Sequence, residues 1–585
     1  MRVRARKGIN VLISDNSIIG VRVQYIYMLI MTGVSCAFLF VLIQVLGSSA
    51  QNLIVNTTQG AVKGFLNENG DYYAFYGLRY GETTAKENRF LAPKPAPPYP
   101  GLYDAIHKVD CLQPSINGPD VGIEDCLALD VFTKNETAGK PVLVWLEGEG
   151  YLSSRMTYSF RQLVMEDTVV VSLNYRVSIF GFLCLGVPGA PGNAGLKDVV
   201  LGLQWIKENI ANFGGDPNNV VLLAHGSGAA IADLITLSPL SQGLIHKVIA
   251  LSGSALAPWA ISYDPIGSAE IVAAKLAYSG KPLTDLAELL KTVQLDVLLH
   301  TLNVEFTNNT VLFAPCVEDS TLNGTFLHDA PVNILKSGNY SHVPYLAAYT
   351  DREGTIRANV LNDWRPKMEA NLSQFIQADL EFGSEENRTN AVDSIRKFYF
   401  RNTTSIDVED YLDFHGDTAV RISVIKGVQA RAATSKAEVR LLEFAYRGST
   451  NANWPYPAVP LNGVKHGGIL EYLFDINMSE EGAKAMASLV KHFVTFARTG
   501  TPSSNAFPGQ QWLPLKNEDL NYYYFGGAYN QPHIEELKKS PHTQRMEFWN
   551  DLYDRYYKAP SRVSSAPKFA AGITLLFCIA ILAIF

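Results

Sequence analysis

The chain has 585 residues, 47% of them hydrophobic and 18% charged, with 49 Lys and Arg against 56 Asp and Glu and only 6 Cys. This composition excludes a disordered, collagenous or disulfide-framework protein, and the length allows a large core. A formal net charge of −7 offers no basic face for a phosphate backbone, so nucleic acid is not an expected partner.

Arg2, Arg4, Arg6 and Lys7 precede an apolar run from Tyr25 to Leu46, which is followed by Gly47-Ser48-Ser49-Ala50. Small residues at Ser48 and Ala50 fit a cleavage site, while a run of roughly 20 apolar residues also suffices to span a bilayer. Residues 1–50 are therefore expected to be a signal peptide or a signal anchor. Either one delivers the chain to the secretory pathway.

Residues 51–558 carry no repeat, heptad run or long Pro/Gly/Ser linker, and are expected to form one ectodomain. Cys111 and Cys126 are flanked by turn residues and close a short loop, which predicts a disulfide. The almost wholly apolar runs Pro141–Leu146 and Thr168–Leu173 predict strands buried on two faces, and hence a central parallel sheet. Cys184 and Cys316 sit among apolar neighbours and are expected to be buried free thiols. Leu201, Leu203, Ile206 and Ile210 predict a helix over Val199–Phe213, ended by Gly214-Gly215-Asp216-Pro217. A strand over Asn219–Leu223 then meets Ala224-His225-Gly226-Ser227-Gly228, which turns into a helix running to about Leu237. Strand, tight turn and helix in this order form the nucleophile elbow of an α/β-hydrolase.

Asn56, Asn135, Asn308, Asn323, Asn339, Asn371, Asn387, Asn402 and Asn477 each open an Asn-x-Ser/Thr sequon without proline. Nine such sites between two apolar ends support an extracellular glycoprotein with these asparagines on exposed loops. The C-terminal segment, residues 559–585, has a polar stretch and then an apolar run from Phe569 to Phe585. This pattern resembles a glycosylphosphatidylinositol signal with Ser561, Ser564 or Ser565 as attachment residue, a membrane helix being the alternative. The expected location is the extracellular face of the plasma membrane.

Long strings in the chain resemble the type B carboxylesterase and cholinesterase family. They are Tyr76-Gly77-Leu78-Arg79-Tyr80, Asn174-Tyr175-Arg176-Val177, Gly192-Asn193-Ala194-Gly195-Leu196-Lys197-Asp198 and Asn212-Phe213-Gly214-Gly215-Asp216-Pro217. The resemblance implies an α/β-hydrolase fold, a central mostly parallel sheet flanked by helices. Cys111 and Cys126 also fit the family's first disulfide. The loop between them lacks the tryptophan that cholinesterases set against a quaternary nitrogen, so choline-ester specificity is not expected.

Compared position by position, the catalytic residues depart from the family. Where it has Gly-Glu-Ser-Ala-Gly, this chain places Gly226 at the nucleophile position and Ser227 one residue later. The family's acid matches Glu353 and its base matches His466, in hydrolase chain order. The oxyanion loop reads Glu147-Gly148-Glu149-Gly150, so that Glu149 stands in a glycine position next to Gly150, with Ser227 the third oxyanion-position residue. Glu147, Glu149, His225, Glu353 and His466 include donor types for a divalent metal, but a hydrogen-bonded polar cluster is the expectation, and no metal or cofactor is expected. In losing the nucleophile the chain resembles the cholinesterase-like adhesion molecules of the neuroligin, neurotactin, gliotactin and glutactin group, and a glycine in the serine position is the neuroligin-type change. That resemblance implies a non-catalytic surface protein with an extracellular protein partner. It also implies a possible homodimer, for which Met546, Phe548, Trp549, Leu552 and Tyr556 are candidates unless they pack on their own domain. A hydrolase with rearranged chemistry and a binder of a small apolar ligand are the alternatives.

Overall fold

The strand Lys140–Leu146 is buried at all seven positions and Val169–Leu173 at all five, as their almost wholly apolar sequences favour. The computed structural model describes residues 52–563, apart from 115–119, 155–157, 402, 404, 449–453, 457–458, 460, 475–477, 504–510 and 517–519. Its strands are β1 (Leu53–Thr57), β2 (Gly60–Leu66), β3 (Tyr73–Arg79), β4 (Tyr103–Asp104), β5 (Ala128–Thr133), β6 (Lys140–Leu146) and β7 (Val169–Leu173), then β8 (Gly215–His225), β9 (Lys247–Leu251), β10 (Tyr345–Thr350), β11 (Val439–Tyr446), β12 (Asn521–Gly527) and β13 (Ile534–Lys539). They form a 13-stranded sheet in the order β1-β2-β3-β5-β7-β6-β8-β9-β10-β11-β12-β13, with β4 beside β2. Pairing is parallel from β7 through β12 and antiparallel at both margins, except that the short β4 runs parallel to β2.

Alternation along the central strands feeds two cores. Val142, Val144 and Leu146 join Val220, Leu222 and Ala224 on one side of the sheet. Leu143 and Trp145 join Val221 and Leu223 on the other. At about 25 cal/mol per Å² of apolar surface removed from water, two-sided burial holds β6 and the second half of β8 firmly, a rigid base for whatever their C-terminal ends carry.

The main helices are α1 (Ala194–Asn209), α2 (Ser227–Leu237), α3 (Ile422–Thr434), α4 (Glu480–Thr499) and α5 (Thr543–Tyr556). Helix α1 starts at Ala194 rather than Val199. Its cap, Asn193, is left-handed (φ 54) and buried, and its side chain bonds both Cys316 and Glu318. The helix therefore begins on a buried polar knot that apolar periodicity does not register.

The same knot overturns the expectation for two cysteines. Cys184 and Cys316 form a disulfide across 132 residues rather than remaining free thiols. Asn193 accepts the Cys316 N–H at 2.9 Å and so seats Cys316 against Cys184. Gly192 (φ +116) leaves the required space, since a Cβ there would stand 2.6 Å from Cys184 Sγ. Apolar flanks reported burial and were silent on pairing. The expected Cys111–Cys126 disulfide is present.

In α5, Met546, Trp549 and Leu552 are buried in the protein's own core, whereas Phe548 is half-buried and stacks on Phe398 at 4.2 Å. Asn56, Asn135, Asn323, Asn339, Asn371 and Asn387 are exposed and Asn308 is half-buried, while Asn402 and Asn477 lie outside the described residues. Asn56 stands in β1 and Asn387 in the first turn of the helix Glu385–Phe400, not in loops. Ser561 is exposed, and Ser564, Ser565 and both apolar end segments lie outside the described residues. Among the described residues no helix is long and apolar enough to cross a membrane.

Candidate active site

Strand β8 ends at His225 and α2 begins at Ser227, so the reversal falls on Gly226 alone. Gly226 has φ 58 and ψ −124, a left-handed conformation in which side chains other than hydrogen are strained. Its N–H donates to Leu251 of β9 at 2.9 Å. The elbow is thus built, and its apex carries no side chain.

The loop after β6 lies directly on this apex. Ser227 N donates to Gly148 O at 3.1 Å, and a Cβ added to Gly226 would meet that same oxygen at 2.7 Å. Ser227 Oγ accepts from Tyr151 N at 3.0 Å, and the residue is 1% exposed. Glu149 N donates to Ser153 O at 3.0 Å. Two of the three oxyanion-position residues, Glu149 and Ser227, therefore have their N–H groups committed to protein carbonyls. The third, Gly150, adopts φ 58. The Glu149 side chain is exposed and takes Ser153 Oγ at 3.3 Å. What the loop sets against an oxyanion is therefore diverted backbone donors, and the charge of Glu149 is secondary.

Glu353 follows β10 and is fully buried. Its carboxylate accepts Ser252 Oγ at 2.6 Å, Thr350 N at 2.7 Å and His466 Nδ1 at 2.5 Å. Burial alone would raise its pKa, but His466 and the donors from Ser252 and Thr350 together hold it below the ordinary carboxylate range. A parallel backbone β-bridge between Arg352 and Lys465, and a bond from His466 N to Thr355 Oγ1 at 2.7 Å, strap the histidine loop to the acid's loop. The acid–base pair of a hydrolase is intact. Among the described residues the hydrogen bond of the His466 ring goes to Glu353 and none goes to a hydroxyl.

His225, at the family's glutamate position, turns its ring to 4.9 Å from that of His466. It is 8% exposed, and Nε2 has no protein partner. Burial, then the neighbouring His466, lowers its pKa to about 3 against the opposing pull of Glu353. Burial, reinforced by Glu149, raises Glu147 to about 8. His225, Glu353 and His466 meet, but with Glu147 and Glu149 they compose no metal-binding group; among the described residues there is none.

Sequence reasoning missed the grip of Ser227 on Tyr151. Its one signal was a hydroxyl in place of the family's alanine after the apex. Ser252, the second anchor of Glu353, has a left-handed φ of 53 but no motif that marks it.

A family model described as the carboxylesterase family matches residues 51–549. Juvenile hormone esterase of Tribolium castaneum is 26% identical, covering 85% of this chain and 93% of that relative. Acetylcholinesterase of Bungarus fasciatus is 28% identical, covering 90% of each. Among solved structures, juvenile hormone esterase of Manduca sexta with OTFP covalently attached superposes with a TM-score of 0.77 at 22% identity, covering 86% of this chain and all of that one. The fold is that of an α/β-hydrolase, a mostly parallel sheet flanked by helices. With elbow, acid and base in register and the family model spanning nearly the whole described region, this chain belongs to the carboxylesterase family.

Proposed function

We propose that the chain is a non-catalytic member of this family, held at the extracellular face of the membrane, where it recognises a protein partner. The observation that carries this reading is the elbow: Gly226 at the apex, with the oxyanion loop resting where a nucleophile's Cβ would stand. Loss of a nucleophile that works as a unit with its base removes on the order of a millionfold of rate, and a lost oxyanion donor removes on the order of a hundredfold more. The named relatives are esterases, and the reading rests on what this chain lacks beside them. The sequons, the apolar ends and the neuroligin-type glycine change support an extracellular recognition role.

Two assays test it together. Ester hydrolysis by the purified protein should stay at the rate of a buffer blank, and cells displaying the chain should aggregate with cells that carry its partner. The intact Glu353–His466 pair favours a second reading, a hydrolase with rearranged chemistry. Turnover by the native protein that disappears in Ser227→Ala would establish that reading and end the first.

A further inference from the structure

A second cavity, of about 250 Å³, opens between α3, α5 and the segment around Asp379, and shares no lining residue with the elbow. At about 30 Å³ per water, it has room for roughly eight waters or one small organic molecule. Ile422 and Trp549 contribute apolar wall. Trp549 spends its ring N–H on Tyr399, so it offers the cavity only its hydrocarbon face.

Two charged groups line this space without meeting. Asp379 is 1% exposed; the Tyr553 hydroxyl hydrogen-bonds its carboxyl group, yet Oδ1 has no protein partner. Lys426 reaches the cavity from α3 and rests its ammonium 4.1 Å from the centre of the Tyr553 ring. No ion pair within 4.0 Å joins the two. Burial raises Asp379 to about 7 against the Tyr553 hydrogen bond and the pull of Lys426, and lowers Lys426 to about 8 against the pull of Asp379. Buried opposite charges in one cavity normally pair, and a buried carboxylate oxygen normally finds a donor. Lys336 and Asp554 line the same space, so its charges balance, which disfavours a simple cation or a simple anion.

We propose that this cavity binds a small zwitterion with an apolar body, of the size of a free amino acid, its ammonium on Asp379 Oδ1 and its carboxylate on the Lys426 ammonium. Trp549 and Ile422 enclose the apolar body, and the Tyr553 hydroxyl holds the carboxylate in position. The site is independent of whether the elbow is catalytic.

Calorimetric titration of the full-length glycoprotein in detergent tests the assignment with three probes: leucine, isopentylamine and 4-methylpentanoate. Leucine should bind about tenfold or more tightly than either single-charge probe, because only it satisfies both groups. Lys426→Met should weaken leucine about tenfold and erase its advantage over isopentylamine, and Asp379→Asn should erase its advantage over 4-methylpentanoate. If Asp379→Asn does not fold, the Lys426→Met arm decides alone, since Lys426 is only partly buried. No leucine binding up to about 10 mM, equal binding of the three probes, or leucine binding unchanged by Lys426→Met would overturn the proposal.

Discussion

The Ser227 hydroxyl takes the Tyr151 backbone N–H at 3.0 Å while the Ser227 N–H reaches back to Gly148 O at 3.1 Å, so one residue clamps the oxyanion loop to the elbow at two points. Both bonds are buried. Ser227→Ala strands the Tyr151 N–H and should cost about 1–3 kcal/mol of stability, read by urea denaturation, with the rate of ester hydrolysis unchanged.

Restoring the missing hydroxyl should not by itself restore turnover. In Gly226→Ser the new Cβ meets Gly148 O at 2.7 Å, and the donors of Glu149 and Ser227 remain committed. Adding Ser227→Ala and Glu149→Gly removes side chains only and leaves the backbone bonds from Ser227 N to Gly148 O and from Glu149 N to Ser153 O in place. The triple variant should therefore gain less over Gly226→Ser than the roughly hundredfold that a free oxyanion donor is worth, measured as p-nitrophenyl acetate hydrolysis.

His225 makes the fold sensitive to acid. Burial and His466 lower it from 6.5 to about 3 in the folded protein, so below pH 6.5 the unfolded chain takes up a proton that the native chain refuses. Stability is therefore complete above pH 6.5 and is lost as pH falls towards 3. Between pH 7 and 4.5 the wild type should lose about 2 kcal/mol more than His225→Gln, as measured by guanidinium denaturation at the two pH values.

The Cys184–Cys316 bond closes a long loop and joins the segment around Cys184 to the segment around Cys316, which Asn193 at the head of α1 also holds. Replacing both cysteines with alanine should cost about 2–5 kcal/mol, seen as a lower Tm. Peptide mapping of the unreduced protein should recover Cys184 linked to Cys316 and Cys111 linked to Cys126.

Much of this arrangement was legible in the sequence because it is local. The runs around Val144 and Val171 are almost wholly apolar, rich in Val and short, the pattern of a strand buried on two faces. The elbow could be read because strand, glycine-rich turn and helix are contiguous, and Glu353 and His466 followed from family strings around them. What escaped is long-range. Cys184 meets Cys316 through Asn193, and Ser227 meets Tyr151 through the fold of a loop 76 residues away. The placement of Asp379 and Lys426 on one cavity needs three segments distant in the chain. The antiparallel margins of the sheet were hidden for a related reason: β1, β2 and β13 are only half-buried, and their weak patterns resemble loops. The stripe on α5 shows the limit in the other direction, because the same periodicity serves a partner's surface or the protein's own core, and Met546, Trp549 and Leu552 are in the core.

The most direct test of the central claim is mass spectrometry of the native protein after incubation with a fluorophosphonate, which marks an activated serine covalently. The account predicts that the peptide spanning Ala224 to Gly228 is recovered unmodified, with or without the acid–base pair. A phosphonyl adduct on Ser227 that is lost in His466→Ala would contradict it.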